Sequence, residues 1–139
     1  MSPISESTEQ TKQIGESLSS GLTAGSVVCL YGELGAGKTT FIKGLAKGLG
    51  IEGPVISPTY VLLRQYGNST DLYHIDLFRI ESIDEFFEAG LDEYLLTEEG
   101  IVAIEWAGRV KDILPRDRVD VRMNIKENRR REITITRHS

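Results

Sequence analysis

The sequence predicts an α/β fold, one mixed central sheet between helical layers with antiparallel hairpins at its margins, and three observations carry that expectation. The stretch Gly32-Glu33-Leu34-Gly35-Ala36-Gly37-Lys38-Thr39 fits G-x-x-x-x-G-K-[ST] without a mismatch. The run before it (SVVCLY, 26–31) reads as a short buried strand, and residues 39–49 after it carry Phe41, Ile42, Leu45, Ala46 and Leu49 at helical spacing. Ile101-Val102-Ala103-Ile104 is a second continuous apolar run, suited to a strand covered on both faces. Strand, glycine-rich turn and helix stand in the order that a phosphate-binding loop needs, so the expected architecture is a P-loop NTPase-like three-layer fold.

The other elements follow in order. Ser7 with Gln10 three residues on resembles a capping box, and Ile14 and Leu18 then share a face, which predicts a helix over 8–20 stopped by Gly21. Gly48 and Gly50 end the loop helix, and Gly53-Pro54 makes a turn. Residues 61–66 read as a strand, Gly67-Asn68-Ser69 as a turn, and 72–78 (LYHIDLF) as a second strand, together an antiparallel hairpin. Period-two alternation puts Leu72, His74, Asp76 and Phe78 on one face, leaving Asp76 a carboxylate in the middle of an apolar strand. Ser82 caps a helix over 83–89 ended by Gly90, and 91–96 adds a turn. A short helix is expected through Val110 and Leu114 to Pro115. Residues 118–126 and 132–137, where valines, Met123 and isoleucines alternate with polar residues, form a last hairpin with the basic tip Glu127-Asn128-Arg129-Arg130.

With 139 residues the chain has room for one domain over 1–139 and little for a lid or a second one. No apolar run approaches about 18 residues, and the start MSPISESTEQ lacks the basic and apolar parts of a signal peptide, so a cytoplasmic protein without membrane contact is expected. Cys29, the only cysteine, lies inside the apolar strand and reads as a small buried hydrophobe. A formal net charge of −5 argues against free-standing, tight nucleic-acid binding.

The loop implies its own chemistry. Its glycines let successive N–H groups face one phosphate, the helix that follows adds the positive end of its dipole, Lys38 supplies a mobile charge and the Thr39 hydroxyl a position on magnesium. Hydrolysis of a nucleoside triphosphate needs in addition a carboxylate for the metal and a group that orients water. Two acids in apolar strands qualify, Asp76 in HIDLF and Glu105 in IVAIEW; four apolar residues followed by an acid is the usual form of the second nucleotide-site motif and favours Glu105. Plainer readings stand beside these: Glu105 at a strand end in water, and Asp76 paired with Arg79 or capping the next segment. His74 reads as a satisfied core or edge histidine before a catalytic base, and Trp106 either covers the site or packs in the core. Ser57 and Thr59, on either side of Pro58, form either a γ-phosphate sensor or an ordinary turn. The guanine-recognition tetrad is absent, the nearest string Asn124-Ile125-Lys126-Glu127 being out of register, and Arg64, Arg79 and Arg109 are scattered, unlike the lid of a nucleotide kinase.

Taken together, GELGAGKTTF, SPTY, YHIDLFRI and the EEG-IVAIEW stretch, in this order and spacing, closely resemble the TsaE (YjeE) family of bacterial ATPases over nearly the whole chain. The resemblance implies a Mg2+-dependent enzyme that binds ATP and ADP and hydrolyses ATP. It would be a monomer when alone, binding the TsaB–TsaD complex and meeting tRNA indirectly through it, in the synthesis of threonylcarbamoyladenosine beside the anticodon. It also implies that Glu33, Leu34, Gly35, Ala36, Gly37, Lys38, Thr39 and Thr40 hold the nucleotide, with 35–40 on the phosphates, and that Thr39 and Glu105 bind magnesium. Asp76 would sit at the metal or the attacking water, Lys38, Asp76 and Glu105 forming the catalytic set. Trp106 would lie beside the site, and the chain start and last hairpin would bring Thr8 and Arg131 to the nucleotide. A small-molecule kinase and a non-catalytic, nucleotide-dependent binding module remain as alternatives.

Overall fold

The computed structural model describes residues 3–52, 55, 63–67 and 71–138. The expected segments Ser57-Pro58-Thr59-Tyr60 and Asn68-Ser69 lie outside them. A two-residue strand, β1 (Ile4–Ser5), leads into helix α1 (Thr8–Ser19), whose cap Ser7 accepts from Gln10 N at 3.1 Å. The Gln10 side chain reaches back one residue further than a capping box requires, to Glu6 N at 2.7 Å. Then come β2 (Val27–Gly32), α2 (Lys38–Gly48), β3 (Leu63–Tyr66), β4 (Asp71–Asp76), α3 (Ile83–Glu88), β5 (Gly100–Glu105), β6 (Arg118–Ile125) and β7 (Arg131–His138). Leu91–Leu96 and Ala107–Ile113 are 3-10 helices, the second broken at Val110, so neither is a continuation of regular α-helix.

The sheet order is β1-β7-β6-β2-β5-β4-β3. Its centre, β6-β2-β5-β4, is parallel, and β3, β7 and β1 add antiparallel margins. Parallel strands buried on both faces need apolar residues on both, which is why β5 is buried along its whole length. One face carries Val28, Leu30, Ile101, Ala103 and Val121 against Phe41, Ile42 and Leu45 of α2 and Leu18 of α1. The other carries Cys29, Tyr73, Ile75, Val102 and Ile104 against Phe86, Leu91, Ala107 and Val110. This is the three-layer α/β architecture expected from the sequence. Within it, α1 crosses α2 at contact distance: a Cβ on Gly44 would overlap the Lys12 backbone, and one on Gly15 the Phe41 carbonyl.

β4 and β1 depart furthest from the sequence expectation, for local reasons. β4 stops at Asp76 and not at Phe78, because Asp76 Oδ1 accepts from Phe78 N at 3.0 Å, a side-chain turn that competes with the ladder. Asp76 thus stands at a strand end, not in a strand's middle. β1 has too few residues to show a pattern; it exists because β7 offers an edge, where Ile4 pairs with Glu132 and Ser5 with Arg131.

Candidate active site

The central parallel strands deliver their C-terminal ends to the start of α2. Between β2 and α2 the loop turns through Gly35 (φ 84°) and Gly37 (φ 101°), values that side chains rarely adopt. Gly37 is the N-cap of α2 and supplies no side-chain oxygen, so the first N–H groups of the helix are left to a ligand. Lys38 folds back over the loop, 4% exposed, and its Nζ donates to the carbonyls of Gly32 (2.7 Å) and Glu33 (2.9 Å) while lying 4.1 Å from the centre of the Trp106 ring. Burial pushes its pKa below the ordinary 10.5, against the opposing pull of Glu105, Asp76 and Glu33.

Across the cavity stand the two acids. Asp76 and Glu105 are partners in the β4–β5 register, so the parallel pairing sets them side by side at one height, each 4% exposed. Glu105 Oε2 accepts from the Thr39 hydroxyl at 2.9 Å and lies 2.6 Å from His74 Nε2. Trp106 follows in the left-handed region (φ 60°, ψ 38°), an uncommon conformation for a bulky residue, and packs on Phe78 with ring centres 5.3 Å apart. The cavity these groups enclose measures about 250 Å³ and is lined by Leu34, Gly35, Gly37, Lys38, Thr39 and Thr40 on one side and Asp76, Phe78, Glu105 and Trp106 on the other. Leu34, 74% exposed, and Phe78, 40% exposed, form its apolar mouth.

A second, smaller cavity of about 140 Å³ lies on the other flank of the same loop, sharing Gly35, Gly37 and Thr40 and adding Ser7, Thr8, Thr11, Ala36 and Arg131. Arg131 is held there by the loop itself, Nε donating to Ala36 O and Nη2 to Gly35 O, both at 3.1 Å. Thr8 and Arg131 are therefore brought to the loop but not to the acids. Glu33 is exposed and lines neither cavity; its backbone carbonyl is what engages Lys38. A larger cavity, about 870 Å³, opens at the opposite end of the sheet around Thr23, Ser26, Leu96, Arg118 and Arg137 and contains none of these residues.

His74 is the residue whose place the sequence left unspecified. It is buried, as a core histidine would be, but only half satisfied: Nε2 meets Glu105 while Nδ1 has no hydrogen-bond partner among the described residues. The available signal was its position two residues before Asp76, on the same face of β4.

The site fits a magnesium-bound nucleoside polyphosphate. The unfilled helix N-terminus and the ammonium of Lys38 suit phosphate oxygens, and the carboxylates of Asp76 and Glu105 with the Thr39 hydroxyl, all lining the same cavity, are the oxygen donors that a hard cation such as magnesium takes.

The family model for "Threonylcarbamoyl adenosine biosynthesis protein TsaE" matches residues 5–133. The chain belongs to the TsaE family. The relative from Treponema pallidum is 41% identical over 132 residues, 95% of this chain and 97% of its own, and that from Bacillus subtilis is 41% identical over 129 residues, 92% and 80% of the two chains. Both carry the description tRNA threonylcarbamoyladenosine biosynthesis protein TsaE. The crystal structure of Bacillus subtilis YdiB superposes with a TM-score of 0.85 at 34% identity, over 100% of this chain and 86% of that one. The likeness to that structure thus extends over the whole sheet and not the loop alone.

Proposed function

We propose that this protein hydrolyses ATP with Mg2+ at the loop cavity, in the cytoplasm, as a step in tRNA threonylcarbamoyladenosine formation, and that the TsaB–TsaD complex sets its turnover. One observation carries the enzymatic reading: Lys38, Thr39, Asp76 and Glu105 converge from three elements on a single cavity at the free N-terminus of α2. Membership of the TsaE family supports the pathway. The exposed apolar pair Leu34 and Phe78 at the cavity mouth supports a protein partner that covers it.

In this reading the loop N–H groups bind the phosphate oxygens, and the second cavity, with Thr8 and Arg131, receives the remainder of the nucleotide. Lys38 exchanges its two carbonyl partners for phosphate oxygens and neutralises the negative charge that gathers on the leaving ADP. Thr39 and Glu105 would hold a magnesium ion, which when bound would draw electron density from the phosphate oxygens. Asp76 accepts a hydrogen bond from the attacking water; the water oxygen bonds to the γ-phosphorus, the bond to the bridging oxygen breaks, and ADP and inorganic phosphate leave. Closing the mouth over Leu34 and Phe78 removes bulk water and strengthens each of these contacts.

The test is release of inorganic phosphate from ATP by the purified protein with and without TsaB–TsaD. Slow release that rises with the complex is the expected result. Release that does not change on mixing, or label that moves from ATP to a metabolite, overturns the proposal.

A further inference from the structure

We propose that His74 is a positioning residue of this site, one that commits Glu105 Oε2 to the protein so that Oε1 is the oxygen offered to the magnesium shell; the inference rests on the magnesium–nucleotide reading above. A carboxylate oxygen has two lone-pair sites. Both sites of Oε2 are taken, one by the Thr39 hydroxyl at 2.9 Å and one by His74 Nε2 at 2.6 Å. These donors come from opposite sides of the site, Thr39 from α2 and His74 from β4, so the carboxylate is gripped between the helix and the neighbouring strand. Without His74 the acid is held by one rotatable hydroxyl and faces the ammonium of Lys38, whose charge it already senses.

The other ring nitrogen supplies the second strand of argument. Nδ1 is buried with no hydrogen-bond partner among the described residues, and a ring kept only for packing would be better served by an apolar one of similar size. The polar ring is retained in spite of that cost, and the one bond it makes is to the acid of the site. An ionised carboxylate only accepts, so in this pair Nε2 is the donor and Oε2 the acceptor. Such a second layer around a metal ligand is where orientation and affinity are tuned.

The measurement is the Mg2+ increment, the ratio of the ADP dissociation constants without and with Mg2+, taken by calorimetry on the full chain. It needs no turnover. In His74→Phe the increment should fall roughly ten-fold or more, while the Mg2+-free affinity stays within about two-fold. His74→Gln, whose amide N–H extends to about the position of Nε2, should recover most of the increment. Should His74→Phe fail to fold, His74→Asn, whose amide is too short to reach Oε2, is held to the same criteria. An unchanged increment in the variant that lacks the donor, or equal losses in the Phe and Gln variants, overturns the inference while leaving the nucleotide site standing. A wild-type protein with no increment at all overturns the magnesium reading and the inference together.

Discussion

Asp120 and Glu105 are both acids on the parallel part of the sheet, 1% and 4% exposed, yet their surroundings are opposite. Asp120, midway along β6, takes a hydrogen bond from Arg118 Nε at 3.0 Å and one from the Tyr31 hydroxyl at 3.3 Å on Oδ1. Its Oδ2 makes ion-pair contacts, with His138 Nε2 at 2.9 Å and Arg122 Nη2 at 3.9 Å, though neither is aligned as a hydrogen bond. One acid there faces two guanidinium groups. At the loop Glu105 instead takes the Thr39 hydroxyl and the His74 ring, and together with Asp76 it lines an open cavity facing Lys38. Asp120 is paired within the fold, whereas Glu105 and Asp76 line a cavity that a ligand can enter.

The difference can be broken most sharply at Lys38. Lys38→Ala should lower ATP turnover by roughly 10²–10³-fold, with an unchanged far-ultraviolet spectrum; normal turnover would take the loop out of the mechanism. Exchanging acid for amide at the two clusters should then separate function from stability. Glu105→Gln should abolish the Mg2+ increment with a melting temperature equal to or above that of the wild type, since it removes a buried charge and keeps an oxygen for the Thr39 hydroxyl and the His74 ring. Asp120→Asn should do the reverse, costing about 1–3 kcal/mol of stability and leaving nucleotide affinity unaltered. If both substitutions destabilised alike in denaturant titrations, the proposed contrast between the two acids would be wrong.

A smaller effect is expected in alkali. Cys29 and Tyr31 lie on β2 beside Asp120, and burial, aided by the charge of Asp120, pushes each up to about 12 from ordinary values of 9 and 10. Between pH 9 and 12 the unfolded chain has lost protons that the folded one retains, so stability should fall as pH rises through that window. In Cys29→Ala the slope should flatten; an equal slope would assign the loss elsewhere. The least consequence belongs to Arg130→Ala. Its ion pair with Glu6, 3.4 Å long and more than half exposed on both sides, should matter by less than about 0.5 kcal/mol in the same titrations.

What was legible in the sequence was what is local. The loop and its two flanks occupy one continuous stretch, and the runs at 101–104 and 72–77 announce strands by composition alone. Asp120 was not legible as a buried group: alternation with Val119 and Val121 put it on the polar face, and only the pairing of β6 with β2 and β7 brings Tyr31 and His138 around it. The contact of His74 with Glu105 spans 31 residues and depends on the β4–β5 register, which no pattern in either strand specifies. Trp106 likewise gives no sign of its left-handed backbone, because tryptophan has no preference for it. Glu105 and Asp76 were visible as acids after apolar runs, while their equal height was not.

The grip of Arg131 on the carbonyls of Gly35 and Ala36 has a consequence in time. The Nε bond alone closes a span of 95 residues, which at three backbone bonds per residue is about 285 bonds. On a ribosome the loop emerges early, and β1 emerges earlier still with no edge to join until β7 appears. The nascent chain therefore holds an open loop through most of its synthesis, and its first and last strands meet in the step that clamps it.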